Sequence, residues 1–159
     1  MKSILLRPAR ETDREGIIAL IDSVYRIYGD RICLEGVDKD LSEIPHSYRG
    51  GHFDVAADNS RIWGTVALLP APDRPEVGYL RRMYLDPDLW GSGWGLRMID
   101  WARDRARDMG ISRLEFWSDT RFERAHAFYR KCGFVSDGST RTLHDAWEPY
   151  GEFFFSGDV

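Results

Sequence analysis

The chain has 159 residues, of which 43% are hydrophobic and 30% charged, proportions that suit one folded domain over residues 1–159 and exclude a disordered chain. No apolar run approaches the roughly 20 residues needed to cross a bilayer, so a membrane-spanning chain is excluded as well. With 22 Lys+Arg against 26 Asp+Glu the net charge is -4, which lacks the basic signature of a nucleic-acid binder.

The elements follow in order. Residues 4–6 form a short apolar run ended by Pro8, a first strand. Thr12 with Glu15 has capping-box spacing, and Ile17, Ile18, Leu20, Ile21, Val24, Tyr25 and Tyr28 recur at helical period until Gly29. Leu41, Ile44 and Tyr48 suggest a short helix closed by Gly50 and Gly51. Strands are expected over 53–56, 62–69 and 77–85, with a turn at 58–60 and a proline-rich loop at 70–75. Leu96, Met98, Ile99, Trp101, Ala102, Ala106 and Met109 lie on one side of a helix stopped by Gly110. A strand at 113–117, a helix at 122–131 closed by Gly133, and strands at 134–135 and 152–155 complete a mixed α/β pattern rather than a regular alternation. Cys33 and Cys132 lie far apart in no metal spacing and read as reduced thiols, and no metal site is expected. The first residues lack the apolar core of a signal peptide, so a cytoplasmic location is expected.

The most informative segment runs from Leu80 to Leu96, where a strand end leads into Trp90-Gly91-Ser92-Gly93-Trp94-Gly95 and then a helix. Alternating glycines permit positive φ and leave no Cβ in a ligand's way, while the free N–H groups of the helix start make an anion site suited to phosphate. A plain glycine turn needs only one glycine. The spacing is not the G-x-G-x-x-G of a dinucleotide site, and no Lys follows as in a P-loop. A pyrophosphate cradle of another kind remains.

Leu80 to Leu96 resembles motif A of the GNAT superfamily of acyl-CoA-dependent N-acetyltransferases. Phe122 to Phe134, with Ala125, Phe128, Tyr129, Lys131, Gly133 and Phe134 in agreement, resembles motif B. Trp90 stands where the family commonly has Gln or Arg, and Phe122 where it has Asn. The resemblance implies a central, mostly antiparallel sheet of six or seven strands flanked by about four helices, with acetyl-CoA as co-substrate. It also implies contacts to that co-substrate from Met83, Tyr84 and Leu85 along the pantetheine arm. Trp90, Gly91, Ser92, Gly93, Trp94, Gly95 and Leu96 would surround the pyrophosphate, and Ala125 and Tyr129 would contribute from the second motif. The implied activity is acetyl transfer to a small-molecule or peptide amine by direct attack in a ternary complex. The alternative is a catalytically weak acyl-CoA-binding sensor or regulatory module.

Acetyl transfer needs a base for the amine, a donor for the oxyanion and a donor for the departing thiolate. By resemblance Tyr129 is the thiolate's proton donor, although its pattern alone describes a core aromatic. The N–H of Met83 or Leu85 is the oxyanion donor by the same resemblance. Glu115 is the first candidate base and Asp119 the second, the plain alternative for Glu115 being a salt-bridged strand residue. Strict alternation would send Arg81 and Arg82 to opposite faces, so that one at most meets the cleft. His126 reads as a helix-surface residue. The acceptor region, by resemblance, holds Tyr25, Tyr28, Asp30, Glu35, Asp38, Asp40 and Glu43 on one side and His144, Asp145, Trp147 and Tyr150 on the other. That mixture of acids and aromatics suits a cationic amine. Neither nucleic acid nor membrane is an expected partner, and a homodimer is left open.

Overall fold

The computed structural model describes residues 3–159. Strands β1 (Leu5–Pro8), β2 (His52–Ala57), β3 (Ile62–Ala71), β4 (Arg74–Leu85), β5 (Arg113–Asp119), β6 (Thr140–Leu143) and β7 (Tyr150–Asp158) form one seven-stranded sheet. Helices α1 (Arg14–Ile27), α2 (Ile44–Ser47), α3 (Trp94–Asp108) and α4 (Glu123–Lys131) flank it. The order across the sheet is β1-β2-β3-β4-β5-β7-β6, and its one parallel pairing is β4 with β5. The mixed α/β, mostly antiparallel architecture expected from the sequence is present. Among the described residues no helix is long and apolar enough to cross a membrane.

Each face of the sheet carries its own core. Leu68, Leu80, Leu114, Phe116 and Phe155 pack beneath Met98, Ile99 and Ala102 of α3 and Tyr129 of α4. On the other face Val55 and Ala67 pack against Ile17 and Ile21 of α1, with Leu41 and Ile44 beside them. Burial on both sides explains why β3 reads as a nearly unbroken apolar run rather than an alternating one.

Four local expectations change. The 70–75 loop is a tight hairpin: β3 extends to Ala71, β4 starts at Arg74, and Pro72 fits a turn position that a fixed φ favours. Val135 makes an isolated bridge to Ser156 rather than a strand. The strand beside β7 is β6, whose four residues Thr140–Leu143 are mostly exposed and carry no apolar signal. The Thr12 and Glu15 side chains do not cap α1; Asp13 accepts from the Arg10 N–H at 2.8 Å and pairs with Arg7 at 2.7 Å.

Pairing between β4 and β5 ends at Tyr79 with Glu115. Beyond it, residues 80–85 and 116–119 part, while β5 stays paired with β7 and β4 with β3 on their other edges. The gap between the two strands opens the sheet at its centre.

Candidate functional site

A cleft of about 500 Å³ occupies that gap and spills onto the α1 side of the sheet. Leu80, Met83, Phe116, Ser118 and Tyr129 line it from the α4 side, and Tyr25, Arg81, Trp117, Tyr150 and Glu152 from the other.

Its shape depends on a bulge. Thr65 pairs with Tyr84 and Ala67 with Arg81, so Arg82 and Met83 together oppose Val66. Arg82 is the one non-glycine residue at positive φ (50°) among the described residues. That conformation costs roughly 1–2 kcal/mol, and the surroundings hold it in place. The Thr65 hydroxyl donates to the Arg82 carbonyl at 2.7 Å. The buried guanidinium donates to Asp38 (2.9 Å), Asp40 (3.0 Å), the Tyr25 hydroxyl (3.0 Å) and the Val37 carbonyl (3.2 Å). Charge-assisted bonds contribute about 1.5–3 kcal/mol each, so they outweigh the strain. The bulge also corrects the expectation for the arginine pair: alternation breaks there, and both Arg81 and Arg82 line the cleft. Met83 lies along the β4 edge that β5 has left, where main-chain N–H groups lack a partner strand. Leu85 does not line the cleft; it packs in the core, and its carbonyl accepts from the Trp90 indole N–H at 3.0 Å.

Besides Asp30, three carboxylates line the cleft, in different states. Glu115 is saturated: Arg74 donates to Oε1 at 2.7 Å and Oε2 at 3.0 Å, and Arg113 to Oε2 at 2.9 Å. The Arg74 contact, foremost, holds its carboxyl below the usual range. Asp119 is gripped by the Arg121 side chain at 2.9 and 2.6 Å and by its N–H at 2.9 Å. Among the described residues Glu152 accepts from Arg141 on Oε1 alone, at 2.7–2.8 Å, which leaves Oε2 open. Burial pushes its carboxyl above the ordinary value. The sequence reading placed Glu152 only in a strand; the signal that finds it is its cross-strand position opposite Asp119.

Tyr129 is buried against Phe116 (ring centroids 4.7 Å apart), and its hydroxyl has no hydrogen-bond partner among the described residues. Burial raises its proton affinity, so the group stays protonated. His126 is also buried, contrary to the surface expectation; its ring lies tilted against Phe155 (centroids 5.2 Å apart), and its Nε2 lies 3.1 Å from the Ser118 hydroxyl. Burial lowers its proton affinity, which keeps the ring neutral. Phe122 closes an aromatic wall with Tyr28 (4.8 Å) and Tyr84 (6.3 Å).

The acids expected to greet a cationic acceptor are engaged elsewhere. Asp38 and Asp40 hold Arg82, and Asp30 pairs with Arg121 at 3.0 Å. Trp147 lies outside the cleft lining, stacked on Arg31 and bonded to the Ile32 carbonyl at 2.9 Å. Glu35, Glu43, His144 and Asp145 do not line the cleft either.

The glycine turn lies beyond the cleft lining, at the start of α3. Gly91 (φ 77°) and Gly93 (φ 92°) take left-handed conformations with open space where a side chain would project. A Cβ on Gly95 would sit 3.1 Å from the Phe128 ring, so glycine there lets α4 approach α3. The first turn of α3 leaves the N–H groups of Gly95 and Leu96 without intrahelical acceptors. Arg97 lies over Trp94 (3.8 Å) and Arg124 over Trp90 (4.9 Å), so positive charge flanks the turn. Ser92 bonds back to the Leu89 carbonyl, and Ala125 packs in the α4-side core. Backbone donors, open space and nearby guanidinium groups fit a pyrophosphate.

The chain is similar to known proteins along most of its length. The family model described as "Acetyltransferase (GNAT) family" matches residues 20–134. The uncharacterized N-acetyltransferase YesJ of Bacillus subtilis is 27% identical over 158 residues, covering 89% of this chain and 87% of that protein. An amino-acid acetyltransferase of Ralstonia nicotianae is 31% identical over 135 residues, covering 82% of this chain but 26% of that longer protein. An acetyltransferase structure from Streptococcus agalactiae superposes with a TM-score of 0.82 at 18% identity, covering 100% of each chain, which shows a shared fold.

Proposed function

The chain belongs to the acetyltransferase (GNAT) family, and we propose that its cleft moves the acetyl group of acetyl-CoA to an amine acceptor by direct attack with both substrates bound. The observation that carries this reading is the parting of β4 and β5 beyond Tyr79 and Glu115, with Met83 and Tyr129 lining the gap. The Gly91–Leu96 turn binds the pyrophosphate through main-chain N–H groups. The thioester lies between the strands, and the acceptor enters from the α1 side. Reliance on acetyl-CoA accords with a cytoplasmic location.

Each proton has a destination. Glu152 Oε2 takes the proton that the ammonium form of the acceptor must lose, because its affinity is raised and that oxygen is open. Glu115 serves less well in this role, since both oxygens are occupied and its affinity is lowered. As the amine adds to the carbonyl, the Met83 N–H donates to the developing oxyanion. As the carbon–sulfur bond breaks, the Tyr129 hydroxyl gives its proton to the thiolate, and the second proton, shed by the amine nitrogen once it is bonded to the carbonyl carbon, restores the tyrosine through solvent.

Thiol release with acetyl-CoA and an amine panel, followed across pH, tests these roles. Tyr129→Phe is expected to lower kcat by about 10²-fold or more while acetyl-CoA still binds. Glu152 accepts a proton only when ionised, so wild-type activity falls as pH drops through its raised pKa. Glu152→Gln removes that acidic limb, and Glu115→Gln retains it. Loss of the limb in Glu115→Gln alone reassigns the base to Glu115.

A further inference from the structure

Charge in the acceptor half of the cleft is paired off with one exception. Asp30 and Asp119 are held by Arg121, Glu115 by Arg74 and Arg113, and Glu152 by Arg141. Arg82 is held by Asp38 and Asp40. Arg81 lines the same cleft, is exposed, and makes no hydrogen bond or ion pair among the described residues. It pairs in register with Ala67, a residue of the α1-side core, and the bulge brings Arg82 to the same side of the sheet. The Arg81 charge acts on Asp40 of the 37–40 loop and on Glu152 of β7. The charge left unspent for a ligand is therefore positive, the reverse of what the acidic composition of this region suggests.

We propose that Arg81 receives an anionic group of the acceptor, so that the acceptor is an amine carrying a carboxylate, whose amine end is served by Glu152. This rests on the acetyl-transfer reading above and narrows it. A guanidinium offers two parallel N–H donors that match the two oxygens of a carboxylate. One free guanidinium balances one negative charge, whereas a dianionic phosphate would leave excess negative charge beside Asp40 and Glu152. With both recognition groups lining one cleft of about 500 Å³, the scale suits a free amino acid. A peptide holds its terminal amine and carboxylate far apart.

The test compares free amino acids, their carboxamides and short peptides as acceptors in a thiol-release assay. Wild type is expected to favour amino acids over the matching carboxamides by at least about tenfold in kcat/KM, the scale of one charge-assisted contact. Arg81→Ala should bring that ratio towards one, and Arg81→Glu should invert it. Because Arg81 is exposed and unpaired, both variants should fold, which circular dichroism checks. Equal use of both acceptors by wild type overturns the proposal, as does a ratio that survives Arg81→Ala or a preference for peptides. A calorimetric arm with CoA present measures amino-acid and carboxamide binding directly and gives an answer without turnover. Carboxylate-selective binding lost in Arg81→Ala, with no thiol released from any amine, supports the Arg81 site and overturns acetyl transfer instead.

Discussion

At the glycine turn the protein offers main-chain N–H groups and empty space. Across the cleft it offers side chains drawn from β4, β5, β7 and the loop after α1. The first half needs only that certain positions lack a Cβ; the second needs a strand crossover, a bulge and a set of ion pairs in register. A backbone-built site tolerates changes in side chains it does not use, whereas a side-chain-built site is sensitive to whatever sets the bulge.

The largest expected effect comes from breaking the second half at Arg82. Arg82→Ala leaves Asp38, fully buried, and Asp40 without their cation. Breaking such a pair costs about 3–5 kcal/mol, which denaturant unfolding would read as a large fall in midpoint. Arg82→Gly separates strain from pairing, because glycine takes φ 50° freely but holds no carboxylate. If the ion pairs dominate, Arg82→Gly is nearly as unstable as Arg82→Ala. Wild-type stability in Arg82→Gly would show instead that the bulge needs only the backbone conformation.

The same treatment of the first half has a smaller expected effect on stability. Gly95→Val drives branched carbons towards the Phe128 ring, where even a Cβ sits at 3.1 Å. Overpacking of this kind costs about 1–3 kcal/mol. It also crowds the turn itself, so calorimetry should show acetyl-CoA affinity falling by more than tenfold.

The contrast also explains what could be read from the chain. The glycine turn is legible because its chemistry is written as residue spacing: Gly91 and Gly93 sit where the backbone takes positive φ, and Gly95 where the Phe128 ring comes close. The helices α1 and α3 are legible from apolar period, and Gly29 and Gly110 mark their ends with positive φ. Arg81 and Arg82 were not, because alternation holds only without a bulge, and this bulge depends on Asp38 and Asp40, more than forty positions upstream in chain order. His126 was misplaced because a lone histidine on a short helix carries no sign that Ser118 and Phe155 will cover it. Strand β6 escaped notice because its stability comes from pairing with β7 rather than from burial of its own residues. The salt-bridged alternative for Glu115 is the one that forms, with Arg113 two residues away, but its Arg74 partner is brought there only by the parallel β4–β5 pairing.

The smallest effect is expected at Trp90. Trp90 departs from the family's Gln or Arg, so if a side chain at this position bound the phosphates, its loss would already have weakened the site. Its indole N–H is committed to the Leu85 carbonyl, and its ring meets Arg124. Neither interaction leaves it a donor for an anion. Trp90→Gln removes one neutral hydrogen bond and one cation–π contact, each about 0.5–1.5 kcal/mol, and a glutamine amide can restore part of the first. The melting temperature should therefore drop slightly, and acetyl-CoA affinity should change by less than about tenfold, since 1.4 kcal/mol is one decade. A gain of tenfold or more would mean that a side chain can take over binding at the turn. The glycine half would then resemble the acceptor half, and its dependence on main-chain N–H groups alone would have to be abandoned.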